Sequence, residues 1–443
     1  MRIQRGTLDF GRHNSLYATH GLHSFAAKCP PQLAEWAIKT LSEAGQTVLD
    51  PMAGSGTTLA EARLLGRHGL GVEIDPFSCL LSQVKSTPLD PIRLRETAAT
   101  LEHNLEADFN RLERTAPPSA ALLRRCQLPQ AIAPEYLEYW FLPRVARDLA
   151  LIKFHILNLD TDDDLRHFFL VAFSSLILAK DSVANARDIV HSRHHYREHE
   201  EAPDVWGRFR KRLAKMQSLM AEFWRQCQVA PCTDVQTRII GHDARCLPCE
   251  TDSIDLIFTS PPYCNALDYV RAHTFTVAWL SDVFDTTPAD YARGARDYIG
   301  TERGVNAAAV ANLREAQAGM PNVPLASRVV RKITDDHPKT GLVIEKYFAD
   351  MWHVFAEMGR VLRTARHLVV VVCPSNIRKV EVPTHKVFKA MTSQLALEGG
   401  GRLRQISCAE RTIDARRRLL PYMQQEFGAR MQTEYVLVFR KEA

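Results

Sequence analysis

The sequence predicts an α/β fold built on a mostly parallel sheet, and three observations carry that reading. A strand–turn–helix–strand unit occupies "QTVLDPMAGSGTTLAEARLLGRHGLGVEIDP", with an acidic residue at the tip of its second strand. Short apolar runs return in "TRIIGHDA", "SIDLIFTSPPY" and "RHLVVVVCPSNIR", as expected of strands buried on both faces. A last pair, "GRLRQISCAERTI" and "TEYVLVFRKEA", reads as an antiparallel edge closing the sheet.

In the first unit, Val48 and Leu49 end a strand, Asp50 to Gly56 form a glycine-rich turn, and Thr57 to Leu65 form a helix. Gly66 to Gly69 turn the chain into "LGVEI", which carries Glu73. Residues 91–231 are strand-poor and show apolar spacings of three and four, so they form a helical insertion. Its far end is basic, with Arg187, Arg193, Arg197, Arg208 and Arg210 among Tyr196, Trp206 and Phe209. Strands resume in 232–443, interrupted by a less regular region over 264–345.

Composition sets limits. The 443 residues indicate one large α/β domain with insertions, or two domains. No apolar run reaches about 18 residues, so no membrane span is expected. The stretch "MRIQRGTLDFGRHN" lacks a signal-peptide core, which points to the cytoplasm. The ten cysteines form no disulfide framework, and the net charge of +5 permits a polyanionic partner without requiring one. Cys246 and Cys249 make a C-x-x-C with no second pair, and His191, His194, His195 and His199 lie in a basic stretch; no metal site is expected from either.

Two short stretches carry the chemistry. A glycine-rich turn lets a ligand approach the backbone closely. The dinucleotide fingerprint requires a third glycine where Leu59 stands, so a nucleoside joined to a zwitterionic amino acid fits better than a pyrophosphate. Glu73 suits a ribose diol, Ile74 a wall beside an adenine ring, and Asp243 the adenine amino group. Taken alone, these residues also fit an ordinary β–α turn, though a ligand-binding turn fits them better. The second stretch is Ser260, Pro261, Pro262 and Tyr263, at the carboxyl end of a buried strand, where α/β proteins bind ligands. The prolines stiffen the corner and remove two competing amides. Ser260 and the Pro261 carbonyl can accept hydrogen bonds from an exocyclic amine, and Tyr263 can stack on a planar base.

Together these stretches resemble the amino-methyltransferases that modify DNA bases. "DPMAGSGTT" is similar to their S-adenosyl-L-methionine motif, with Met52 at the usual Phe, and "TSPPY" to their catalytic motif in its Ser form. "THGLHSFAAKCPPQLAEWAI" resembles their N-terminal motif, with departures at Ala26 and Cys29. The resemblance implies a Rossmann-like class I fold with a seven-stranded sheet and an antiparallel edge strand. It implies cofactor contacts from Phe25, Lys28, Asp50, Ala53, Gly54, Ser55, Gly56, Thr57, Thr58, Glu73, Ile74 and Asp243, and base contacts from Ser260, Pro261, Pro262 and Tyr263. The Ser form points to the N4 amine of cytosine in DNA, with adenine N6 as the alternative and an RNA base behind it. A duplex base must be flipped out to reach such a corner. The implied partners are DNA, contacted by the five arginines named above or by 264–345, and a cognate restriction endonuclease, all at the prokaryotic nucleoid.

Other classes fit less well. A carbon-5 cytosine methyltransferase needs a thiolate directly after a proline, whereas Tyr263 separates Cys264 from Pro262. A nicotinamide oxidoreductase lacks its third glycine, and a silent nucleic-acid binder would not need an intact Ser260–Tyr263 corner.

Overall fold

The computed structural model describes residues 3, 8–11, 13–26, 28–114, 119–130, 132–177, 182–184, 202–264, 269–303, 305, 322–397, 400–413 and 433–443. Nine strands are described: β1 Thr47–Asp50, β2 His68–Val72, β3 Thr237–Gly241, β4 Ile254–Thr259, β5 Leu362–Val372, β6 Ser375–Ile377, β7 Val380–Val382, β8 Arg402–Thr412 and β9 Thr433–Glu442. Seven of them form one sheet in the order β3-β2-β1-β4-β5-β9-β8, and β6 and β7 pair separately as a hairpin. The strands from β3 to β5 in that order are mutually parallel, and β9 runs antiparallel to both β5 and β8. The sheet is thus Rossmann-like and mostly parallel, as expected, and its antiparallel edge is a strand pair, with β9 one place in and β8 outermost.

Strand alternation sorts the core into two layers. Val48, Leu256, Phe258, Val369, Val371, Val436 and Val438 face Leu33, Ala34 and Ile38 of the helix Pro31–Leu41. Their neighbours Leu49, Ile257, Leu368, Val370, Leu437 and Phe439 face Tyr347, Met351 and Phe355 of the helix Pro338–Val361. A third cluster lies beyond the sheet. There the helices between residues 91 and 228 pack Leu94, Leu149, Phe169 and Phe209 with Phe77 of the helix Pro76–Ser86 and Trp279 of the helix Tyr269–Trp279. The inserted helices therefore share a core with helices that follow β2 and β4.

The stretch 264–345 is more regular than its sequence suggests. It holds the helices Tyr269–Trp279, Pro288–Gly294 and Pro324–Thr334 and the start of Pro338–Val361. Three of these begin with proline at their first turn, where the missing N–H is not needed. Prolines that look like breaks in sequence are here helix starts.

The sheet order reverses at β1, which has β2 on one side and β4 on the other. The carboxyl ends of β1 and β4 are therefore adjacent, and a crevice opens where their following segments diverge. Gly56 ends the turn after β1 with φ +76°, and an added Cβ would lie 2.6 Å from Ser82 Cα on the helix Pro76–Ser86. Gly45 has a similar φ of +79° but open space around it. Gly45→Ala should cost about 1 kcal/mol from its left-handed backbone alone. Gly56→Ala should cost at least about 2 kcal/mol, because backbone must also move. Thermal or denaturant unfolding of the two variants separates these terms, and equal losses would contradict the packing role of Gly56.

Candidate active site

The crevice holds a cavity of about 1140 Å³, its open mouth included. Of the residues expected to bind a ligand, Phe25, Lys28, Asp50, Ala53, Gly54, Ser55, Thr57, Thr58, Glu73, Ile74, Asp243, Ser260 and Pro262 line this cavity. Gly56, Pro261 and Tyr263 do not. Gly56 is used for helix packing, and Tyr263 turns its hydroxyl away to Glu434 at 2.6 Å.

Asp50 is the last residue of β1 and is buried. Its Oδ1 accepts from the Met52 amide at 3.1 Å, and its Oδ2 from Thr58 Oγ1 at 2.5 Å. Burial pushes its pKa up to about 6, and these donors restrain the rise. Glu73 lies just past β2, where its Oε2 accepts from the Gly54 amide at 2.7 Å and its Oε1 from the Asp75 amide at 2.9 Å. Burial, followed by the nearby Asp75 charge, pushes its pKa up to about 7. The Gly54 amide thus ties the glycine-rich turn to the acid. A carboxylate with one amide on each oxygen still has lone pairs for further donors.

Asp75 is the most heavily bonded group at the site. It caps the helix Pro76–Ser86 through Ser78 N at 2.8 Å and Ser78 Oγ at 2.9 Å. It also accepts from His273 Nδ1 at 2.9 Å, Tyr291 Oη at 2.5 Å and Tyr298 Oη at 3.2 Å. Burial opposes its charge, but His273 and these donors outweigh burial and hold its pKa at about 2. The bonds fasten the segment after β4 across the cavity, so that Tyr269, Tyr298, Ile299 and Thr301 form part of its wall. Phe25 packs against Tyr269 and His273, with ring centroids 6.1 and 5.3 Å away.

Below the turn, the buried Lys85 ammonium reaches Ser55 Oγ at 3.3 Å, and burial holds its pKa well below the usual lysine range. Glu61 Oε1 accepts from Tyr17 Oη at 2.5 Å and lies 2.8 Å from His20 Nε2. Lys28 Nζ donates to the His20 carbonyl at 2.8 Å. The N-terminal segment is thereby pinned beneath the turn.

Asp243 lines the cavity, but its carboxylate already holds Arg245 through both oxygens, with Nε at 2.9 and 3.2 Å and Nη2 at 3.0 Å. Burial would raise its pKa, and the Arg245 hydrogen bonds and charge pull it below the ordinary range. Arg245 in turn bonds Asp350 at 3.0 Å, so Asp243 belongs to a network. Cys264 is buried, and burial raises its thiol far above the usual range, against a thiolate nucleophile.

The described aromatic residues of the basic segment pack within the protein. Phe209 is buried, Trp206 stacks on Phe109 at 5.4 Å, and the Arg210 guanidinium lies 5.6 Å from the Trp206 ring centroid. These rings are used in packing. Arg208 and Arg210 lie on the helix Val205–Gln228, and Arg187, Arg193, Arg197 and Tyr196 lie outside the described residues.

Residues 9–84 match a family model described as DNA methylase, of the N6 and N4 class. The chain is 25% identical over 398 residues to the type II methyltransferase M.MvaI from Kocuria varians, covering 87% of this chain and 83% of that protein. It is 38% identical over 77 residues to M.MjaII from Methanocaldococcus jannaschii, covering 17% of this chain and 14% of that protein. M.BsoBI from Geobacillus stearothermophilus is 24% identical over 246 residues, covering 53% of this chain and 47% of that protein. The chain is thus similar to type II DNA methyltransferases over most of its length, and its first strands match the DNA methylase family model.

The sequence alone did not reveal Asp75 and its three long-range donors. "DPFS" does carry a local signal, an Asp cap with proline at the first helical turn. Nothing local marks His273, Tyr291 or Tyr298 as its partners.

Removing the Asp75 carboxylate leaves buried donors unpaired. Asp75→Ala should lower the unfolding free energy by about 3 kcal/mol or more. Asp243→Ala, at a half-exposed pair, should cost about 1 kcal/mol or less. Because folding lowers the Asp75 pKa from 3.8 to about 2, its contribution is fully present above pH 3.8 and is lost as pH falls towards 2. Unfolding curves across that range should show this acid loss in the wild type and lack it in Asp75→Ala.

Proposed function

We propose that the chain transfers a methyl group from S-adenosyl-L-methionine to the N4 amine of a cytosine flipped out of DNA. What supports this reading most is one cavity shared by an acidic, glycine-rich cradle and Ser260. Asp50, Glu73 and the Gly54 turn supply acceptors for an ammonium group and a ribose diol, and Phe25 and Ile74 supply apolar wall. That donor and acceptor set fits the cofactor. When bound, S-adenosyl-L-methionine supplies an electrophilic methyl group on sulfur.

The protein's part is positioning. An exocyclic amine is a weak nucleophile because its lone pair is delocalised into the ring. Ser260 Oγ and the Pro261 carbonyl, accepting the amine's hydrogens, would favour a pyramidal nitrogen with its lone pair free. Tyr263 would stack on the base. Holding amine and methyl in line then supplies much of the barrier reduction. Asp243, already shared with Arg245, would meet the cofactor adenine through its remaining lone pairs. Arg208 and Arg210 remain candidates for phosphate contact, together with Arg187, Arg193 and Arg197.

The matched relatives named type II methyltransferases support a restriction-modification role, with an endonuclease acting on the same site at the nucleoid. No helix of the described residues is long and apolar enough to cross a membrane. The Ser form of the motif favours cytosine, and adenine N6 is the second reading.

Incubation with tritiated S-adenosyl-L-methionine and plasmid DNA, followed by digestion and chromatography, tests the assignment. Label is expected in N4-methyldeoxycytidine. Label in N6-methyldeoxyadenosine would replace it with the second reading, and label in RNA alone would overturn the DNA assignment. Ser260→Ala should lower kcat about a hundredfold and leave cofactor affinity within about twofold.

A further inference from the structure

The catalytic corner is tied to the far edge of the sheet through one side chain. Tyr263 Oη donates to Glu434 Oε1 at 2.6 Å, across 171 residues of sequence. Glu434 is the second residue of β9, and its other oxygen, Oε2, accepts from Arg411 Nη1. Arg411 and Glu434 sit directly opposite each other in the β8/β9 register. Both are almost fully buried, at 4% and 8% exposure, and Arg411 Nε also donates to the Leu8 carbonyl at 3.1 Å. The start of β9 is fixed further by Cys373, the residue just after β5, whose thiol donates to the Thr433 carbonyl at 3.2 Å.

This arrangement fixes Tyr263 at both ends. Pro261 and Pro262 stiffen the backbone leading to it. Burial and the Glu434 charge push the phenol far above its ordinary pKa, so it keeps its proton and donates. A tyrosine has only two side-chain torsions. With the backbone stiff and the hydroxyl bound, the plane of the ring is set before any base arrives. A structural ion pair between β8 and β9 would need Arg411 and Glu434 alone. Using the second carboxylate oxygen for the catalytic corner goes beyond that need.

We propose that Glu434, held in place by Arg411, is a positioning residue that fixes the face of Tyr263 on which the flipped base stacks. The inference rests on the reading of Tyr263 as the base platform.

The test is a double-mutant cycle on the full chain, with plasmid DNA and S-adenosyl-L-methionine as substrates. Tyr263→Phe keeps the ring and removes only the tether. It should lower kcat about tenfold, with cofactor affinity unchanged within about twofold. Glu434→Ala should give a similar loss, and the double variant should be no worse than either single one. Losses that multiply to about a hundredfold would overturn the inference, as would wild-type kcat in Tyr263→Phe. Should Glu434→Ala fail to fold because Arg411 is left unpaired, Tyr263→Phe alone decides the question. Tyr263→Ala separates the two readings. If it keeps full activity, the platform itself is wrong. If it is inactive while Tyr263→Phe is fully active, the platform stands and only the tether is wrong.

Discussion

The parallel pairing of β1 with β2 on one side and β4 on the other is the constraint on which the site depends. Parallel strands end on the same side of the sheet, so the turn after β1 and the corner after β4 must meet there. The two stretches are about two hundred residues apart in sequence, and no flexible linkage would hold them in register. Their strands do so because Val48 and Leu49 pair with Leu256 and Ile257 in a ladder whose side chains fill both core layers. A slip of one residue would exchange the two layers and misplace both Asp50 and Ser260.

Charge burial is the second feature that organises the site. Asp50, Glu61, Asp75 and Lys85 are all at most 4% exposed. An isolated buried ion is too costly to keep, so each must be bonded or neutral. Asp75 is bonded so fully that it stays a strong acid. Asp50 and Glu73 are bonded less fully, and their pKa values rise to about 6 and about 7. Unmet acceptor capacity is a disadvantage in a core but is useful in a binding site, because an incoming ammonium or hydroxyl can satisfy it. The site therefore separates a saturated carboxylate that builds the wall from two undersaturated ones that face the cavity.

The wall itself is shared. Helices inserted between β2 and β3 pack against Phe77 and Trp279, which belong to helices following β2 and β4. The segment that carries Tyr298 and Thr301 is latched by Asp75, at the start of the helix Pro76–Ser86. Glycine-rich turn, cavity wall and insertion thus form a connected unit. A change in the insertion can reach the cavity through this core without touching a ligand.

The sequence by itself determined the local features. Short apolar runs defined the strands, the glycine pair marked the turn, and Ser260 to Tyr263 marked the corner, because each is a pattern within a few neighbouring residues. It also gave Asp50 and Glu73, whose positions relative to their strands are local facts. Tertiary structure decided the partners. His273 reaches Asp75 across 198 residues and Tyr263 reaches Glu434 across 171, and no periodicity encodes such a pair. Phe209, among the arginines of the basic stretch, is core, because which face of a helix is buried depends on what packs there. Asp243 looked free for a ligand and is shared with Arg245, because a carboxylate's spare acceptors can be counted only once its donors are in place.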